Sequence, residues 1–559
     1  MERMTLIIVA VPLVSATLVH LFARHLGKRV ARLSILGTFV LFVTAAFQLW
    51  AAVAGSPPGV FALAAGWGLL LFDPLSALMA AVVSGISLIV HIYSQRYMAE
   101  EPGYARFYVL LDLMTASLLL MVCAGDLITL VIAWHLIGVL LYFLLGQDTR
   151  SQTAYRYASW TLLTYRIGDL PLVLAAVLLF SAYGTWSLPQ IFSAIAADPD
   201  GEWVLGMPLP EVVAGLIALS AFARSAQFLL HTWLPYTMSG PTPVSALMHA
   251  GIVNAGGFLL NRFAPVLLHT GDILHWVFMV GLITAVIGSV LMLTQHDIKK
   301  ALGYSTMGQM GFMIMECGVG AFSLAVYHLI AHGVFKGTLF LGAGGVIGEA
   351  RKDDGVPKDD LYTFVVERRP ARKRRPWLLM AAITLAVPGI ILFLAHYLVE
   401  QEFFHKQGAV VLLFFGWITG AQLVFATYRM RSQNLARLFT LILASFTVVI
   451  LGYAVISHSF DLFLYPDPAF RAGIYAAAGI DLVSFDVLVA LITAIIVLSW
   501  VFIYYAEMQR IREQGWYHDL RRRFYRLISA EFRINEFYAW SGRQLLATAN
   551  RLNVLLRWS

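Results

Sequence analysis

The sequence predicts an all-α, polytopic membrane protein, on three observations. Of its 559 residues, 59% are hydrophobic and 13% charged, whereas a soluble domain carries roughly 25% charged residues; mean hydropathy is +0.75. Apolar runs of about 20 residues, the length that crosses a bilayer, recur along the chain. Basic residues collect in alternate gaps between those runs, as loops held on the cytoplasmic face do.

Taken in order, the runs give about fifteen candidate spans, with bounds of about thirteen to sixteen. They lie near residues 5–23, 33–54, 69–93, 107–124, 127–146, 158–181, 212–234, 243–267, 276–294, 301–318, 322–347, 377–399, 409–427, 437–456 and 483–506. Four parts are expected: N-terminal helices over 1–105, a core over 106–430, further helices over 431–506 and a basic tail over 507–559. Basic loops run Arg24 to Arg32, Arg96 to Arg106, Arg150 to Arg156, Lys299–Lys300, Arg368 to Arg375 and Arg429–Arg431, while Asp198, Asp200, Glu202, Asp461 and Asp467 mark the opposite side. This alternation predicts an external N-terminus, a cytoplasmic C-terminus and an odd number of spans.

The net charge of +7 is spent in those loops, which argues against a nucleic-acid partner. No cleavable signal is expected, because the first run begins at Thr5 after only Glu2 and Arg3. Cys123 and Cys317 stand alone in apolar runs and are read as small core hydrophobes, neither disulfide nor metal ligand. The tail, "RRRFYRLISAEFRINEFYAWSGRQLLATANRLNVLLRWS", mixes Arg with aromatic and aliphatic residues at helical spacing. It is read as an amphipathic segment lying on the membrane surface or on a partner, with a solvated tail as the plainer option.

Charged groups at mid-membrane each cost about 2.5–3.5 kcal/mol on insertion scales. Here they form a series: Asp112, His135, Arg166, Asp169, Arg224, His249, Glu316, His328, His332, Lys336 and His396. One pair could be structural; a series over many spans points to a hydrated path for protons or cations. Arg166 and Asp169 are three apart and can pair on one helical face. His328, His332 and Lys336 recur at i, i+4 and i+8 and share one stripe. Histidine suits a proton path because it titrates near neutrality. A zinc site on His328 and His332 is disfavoured: the pair lacks an HExxH glutamate and a third ligand, and Lys336 would repel a cation. Two helix breaks are expected, one after Arg224 at Pro235 and "SGPTP", the other at Pro388–Gly389 shortly before His396. Broken helices at membrane depth line cavities, often in paired repeats.

Three segments carry a family resemblance: "HTWLPYTMSGPTPVSALMHAGIVNAGGFL", "HDIKKALGYSTMGQMGFM" and "YHLIAHGVFKGTLFL". They resemble the antiporter-like proton-translocating family that includes the NuoL subunit of respiratory complex I and the MrpA subunit of cation/proton antiporters. The likeness runs from about residue 60 to 430. It implies two inverted five-helix repeats, each with a broken helix, around a hydrated axis of charged residues. Arg166 and Asp169 match the family's Arg–Asp motif, and Arg224 stands where it has a lysine in the first broken helix. His249 matches the histidine after "PTPVSAL", Lys299 the lysine of "DIK", and His328, His332 and Lys336 the His–His–Lys stripe.

Two departures matter. In "AWHLIG", His135 replaces the family's fifth-span glutamate, and in "FLAHY", His396 stands where a lysine is usual. Arginine does not deprotonate, so Arg224 is expected as a fixed charge. Proton uptake then falls to His135, His249 or His396, with Asp112 as the missing anion. Length, tail and the "NAGGFLLNRFAPV" variant look closest to the DabB branch, membrane subunits of inorganic-carbon accumulation systems. That resemblance implies an ion-translocating subunit without a cofactor of its own, paired with DabA, a large soluble zinc protein that resembles β-carbonic anhydrases. The alternatives are a complex I or Mrp-type subunit and a membrane anchor whose ion path is vestigial.

Overall fold

The computed structural model describes residues 2–56, 59–62, 68–204, 206–237, 240–292, 294–295, 297–342, 458–479 and 516–557. Within them the chain is a helical bundle with eight stretches long and apolar enough to span a membrane. Helices α1 (Glu2–Leu26) and α2 (Ala31–Val53) are joined by a 3-10 turn, Gly27–Val30. Strands β1 (Gly59–Ala62) and β2 (Leu69–Phe72) pair antiparallel, so the first four residues of the span expected at 69–93 are strand. The helix begins at Pro74 instead, because Asp73 caps it by accepting from the Ser76 N–H at 2.7 Å. It runs as α3 (Pro74–Tyr97), followed by α4 (Tyr104–Val122), α5 (Leu127–Leu145) and α6 (Gln152–Tyr183). A short α7 (Leu188–Ala197) and the two-residue strands β3 (Trp203–Val204) and β4 (Met207–Pro208) lead to α8 (Leu209–Arg224).

Helix α8 stops at Arg224, eleven residues before the proline expected to end it. Ala226 and Leu229 take left-handed backbone, which no L-residue sustains in a helix. The break is held open by packing: the Ser225 hydroxyl donates to the Val253 carbonyl at 2.6 Å, and the Trp233 indole N–H donates to the Ala223 carbonyl at 3.2 Å. Regular structure resumes at α9 (Thr242–Ala250), a 3-10 turn Ile252–Asn254, α10 (Ala255–Arg262) and α11 (Ala264–Leu267). The window through α9 and α10 is 94% buried, which makes it the central element of the bundle. Its own interruption follows His249, where the Asn254 amide donates to the carbonyls of Ala250 (2.9 Å) and Leu329 (3.3 Å).

Helices α12 (Gly271–Met292), α13 (Ile298–Gly318) and α14 (Phe322–Gly342) complete this part. A Cβ at Gly311 would lie 2.3 Å from the Ala285 nitrogen, so glycine is what lets α12 and α13 approach backbone to backbone. Further along lie α15 (Pro468–Ala478), α16 (Trp516–Ser529) and α17 (Ile534–Leu556). The expected break at Pro388–Gly389, His396 and the spans at 377–399, 409–427, 437–456 and 483–506 lie outside the described residues.

Candidate functional site

Apart from Asp112, the predicted charged residues that the structure describes gather in three places. In the first, Asp169 is the centre. Its carboxylate meets Arg166 at 3.0 Å, Arg224 at 3.3 Å and His135 Nδ1 at 3.1 Å. Arg224 is 1% exposed; it donates to the Trp134 carbonyl at 2.7 Å and lies over the rings of Tyr165 (4.1 Å) and Trp134 (4.4 Å). Its place at the last turn of α8 sets a cation at the negative end of the helix dipole. The His135 side chain, by contrast, is 52% exposed, on the outer wall of the bundle beside Arg166. The anion serving His135 and Arg224 is thus Asp169. Asp112 lies elsewhere, bonded to His91.

The second place is the stripe of α14. His328 Nδ1 lies 3.0 Å from Glu316 of α13, and its Nε2 lies 2.9 Å from Gln309 Oε1. His332 and Lys336 follow on the same face, both buried. Lys336 donates to the Leu302 carbonyl at 3.3 Å. His249 of α9 faces this stripe, stacked on Phe340 with ring centroids 4.3 Å apart. Among the described residues, neither ring nitrogen of His249 or of His332 has a protein hydrogen-bond partner, and buried imidazoles in that condition are normally bonded to internal water. The helices come this close because Gly333 abuts the Ala250 carbonyl, 2.6 Å from where a Cβ would stand.

The third place is the mouth of the broken segment. Lys299 lies in the first turn of α13, half-buried. Its neighbour Lys300 makes the contact: it pairs with Glu531 of the tail and lies 4.9 Å over the Tyr236 ring. Tyr236 donates to Glu531 at 2.8 Å, and Tyr538 donates to the Leu229 carbonyl at the left-handed turn. Glu531, Phe532 and Arg533 are themselves all left-handed. The tail therefore docks on the break through an elbow, while Phe537, Trp540, Leu545 and Leu546 of α17 remain exposed. Burial would raise the Glu531 pKa, but Lys300 and the Tyr236 and Tyr304 hydroxyls hold it below the usual glutamate range.

Sequence reasoning missed His91, Lys300 and Glu531. His91 sits near the end of its span, in "HIYSQRY", and reads as an interfacial residue. Glu531 is one acid in a basic tail. Among the described residues, no group of three His, Cys, Asp or Glu is placed to hold a metal ion.

Comparison with known proteins identifies the scaffold. Residues 124–421 match the family described as "NADH:quinone oxidoreductase/Mrp antiporter, TM", and residues 62–108 match "NADH-Ubiquinone oxidoreductase (complex I), chain 5 N-terminus". The chain belongs to the NuoL/MrpA-like family of antiporter-type membrane subunits. Within that family it is 58% identical, over 100% of both chains, to the probable inorganic carbon transporter subunit DabB1 of Halothiobacillus neapolitanus. That full-length likeness bears out the DabB resemblance. NADH-quinone oxidoreductase subunit L of Neisseria meningitidis is 35% identical over 62% of this chain and 54% of its own. In fold, the NuoL/MrpA-like chain resembles the Mrp complex of Dietzia, with TM-score 0.56 at 23% identity over 99% of this chain and 63% of that one. It also resembles an archaeal membrane-bound sulfane sulfur reductase, with TM-score 0.60 at 18% identity over 84% and 99%.

Proposed function

We propose that this subunit conducts H+ or Na+ down its gradient and couples that flow to inorganic-carbon capture. The partner would be a large, soluble zinc protein of the DabA type, resembling β-carbonic anhydrases, that converts CO2 to bicarbonate in the cytoplasm. Catalysis would belong to that partner, and the membrane chain would supply the ion path. The placement would be a bacterial inner membrane with the N-terminus outside and the C-terminus inside, an orientation that the alternation of basic loops supports.

The observation that carries this reading is the face shared by His249, His332 and Lys336. Four buried ring nitrogens without protein partners among the described residues stand beside a buried lysine, an arrangement expensive in hydrocarbon and useful in a hydrated path. Arg224 acts as the fixed charge beside Asp169, and His135, Arg166 and Lys299 are assigned to the same path. Glu316 with His328 forms its far end, and His396 is assigned to the same path on its sequence position alone. The link to inorganic carbon is supported by the likeness to the probable inorganic carbon transporter subunit DabB1 of Halothiobacillus neapolitanus.

Purification from native membranes, with mass spectrometry of what comes along, tests the partner. One large soluble zinc protein supports the reading. A set of several membrane subunits would favour the second one, a complex I or Mrp-type assembly, to which the fold likeness points.

A further inference from the structure

Outside the stripe and the Asp169 cluster, α1 to α4 enclose a separate polar site. Asp112 of α4 and His91 of α3 are both fully buried, with His91 Nε2 3.1 Å from Asp112 Oδ1. Ser34 of α2 donates to Oδ1 at 2.9 Å, and Ser15 of α1 donates to Oδ2 at 2.9 Å. On the other side of the ring, Nδ1 lies 2.7 Å from the Ser87 carbonyl. A carbonyl only accepts, so Nδ1 carries a hydrogen in every state. A second hydrogen must then lie between Nε2 and Oδ1, or two lone pairs would face each other at 3.1 Å. Whether it is drawn on the ring or on the carboxyl, the pair holds one shared proton. The arm beyond Ser87 is closed, because Ser87 and Thr115 are 2.6 Å apart and Thr115 donates onward to the Leu111 carbonyl.

The depth of the pair is set by three helices. Ser34 lies in the first turn of α2, directly after the linker that bears Lys28 and Arg29. Asp112 lies eight residues into α4, about 12 Å, and His91 six residues from the end of α3, about 9 Å. Among the described residues, the charged and titratable groups facing the pair are its own two members and Tyr108 of α4, whose hydroxyl donates to the His91 carbonyl at 3.1 Å. Helices α1 and α2 contribute neutral hydroxyls. From α9 and α14, which also pack on α3, His249, His332 and Lys336 face the stripe.

We propose that His91 and Asp112 form a second proton-carrying site, separate from the α14 stripe, which takes a proton from the face that bears Lys28 and Arg29. At rest it holds one proton. A second arrives on Asp112 Oδ2, and the Ser15 hydroxyl turns from donor to acceptor to receive it. The site then carries one positive charge, with each hydrogen of the His91–Asp112 pair directed at an oxygen. Release reverses both movements.

Infrared difference spectra of the full chain in lipid nanodiscs, recorded between neutral and acid pH, test the site without any transport. A buried protonated-carboxyl band is expected in wild type and in Asp169→Asn, and its loss in Asp112→Asn. A band that Asp112→Asn leaves unchanged overturns the proposal. The second arm uses gradient-driven bicarbonate uptake per folded protein and rests on the ion-conducting reading. Asp112→Asn and His91→Gln are expected to lower uptake at least about tenfold, equivalent to about 1.4 kcal/mol in barrier. Gln48→Leu, which removes a buried α1–α2 bond to Thr5 of 3.0 Å, is expected to retain it. If uptake instead follows thermal stability across all three variants, the pair is a helix tie and the proposal falls. A failed coupling reading would abolish the second arm in wild type and leave the infrared arm standing.

Discussion

His135 and Arg224 do not pair with each other; both lean on Asp169, His135 on Oδ2 at 3.1 Å and Arg224 on Oδ1 at 3.3 Å. Where the family has a glutamate and a lysine, this chain has two potential cations, and the anion between them comes from α6. Arg166 adds a third positive group at 3.0 Å. The charge balance of the site therefore rests on one carboxylate.

Removal of Arg224 should be severe. Arg224→Ala leaves Asp169 in a buried site without its innermost partner, a loss of about 3–5 kcal/mol. Arg224→Lys keeps the charge and forfeits the planar stack between Tyr165 and Trp134. Thermal unfolding in detergent should show a large drop for Ala and a smaller one for Lys, with ion flux reduced in both. Full flux in both variants would remove Arg224 from the path.

The stripe predicts the opposite balance of effects. Among the described residues, His332 and His249 have no protein hydrogen-bond partner for their rings, so His332→Ala and His249→Ala should change stability little beyond lost packing. Gradient-driven uptake should fall at least about tenfold in each, and in Lys336→Ala. A vestigial path would leave all three variants active.

Docking of the tail should depend on pH in one direction. The Glu531 pKa is lowered in the folded chain, so its contribution is complete above the ordinary glutamate range and is lost as pH falls through the lowered value. Glu531→Gln should remove it at neutral pH. Hydrogen exchange in α17 should then quicken about tenfold, as loss of about 1.4 kcal/mol requires. Unchanged exchange would mean that Tyr538 and Leu229 hold the tail alone.

Gly333→Ala should push α14 from α9, because its Cβ would sit 2.6 Å from the Ala250 oxygen. Such overpacking costs about 1–3 kcal/mol. It should also separate His332 from His249, so uptake per folded protein should drop, whereas a Gly342→Ala control meets nothing within 4 Å.

Periodicity made most of the bundle legible. The expected spans at 107–124, 127–146, 276–294 and 301–318 begin and end within five residues of α4, α5, α12 and α13, because uninterrupted apolar runs have one solution in a bilayer. The His328–His332–Lys336 stripe was readable for the same reason, since i, i+4 and i+8 fix a face. The break after Arg224 was misplaced toward Pro235, since it comes from packing of Ser225 and Trp233 on distant segments rather than from a local breaker. Sequence reading assigns the missing anion to Asp112, and the structure places Asp169 beside Arg224 instead. Sequence ranks both as mid-span acids, and only the crossing of α5, α6 and α8 selects between them. Glu531 lies 231 residues from Lys300 along the chain, a separation no local pattern bridges.

Uptake of radiolabelled bicarbonate by cells or vesicles carrying this subunit and its partner, with the proton and sodium gradients collapsed in turn and then together, tests the coupling most directly. Collapse of the driving gradient is predicted to abolish uptake. Uptake that persists at its full rate with both gradients gone would contradict ion-coupled carbon capture.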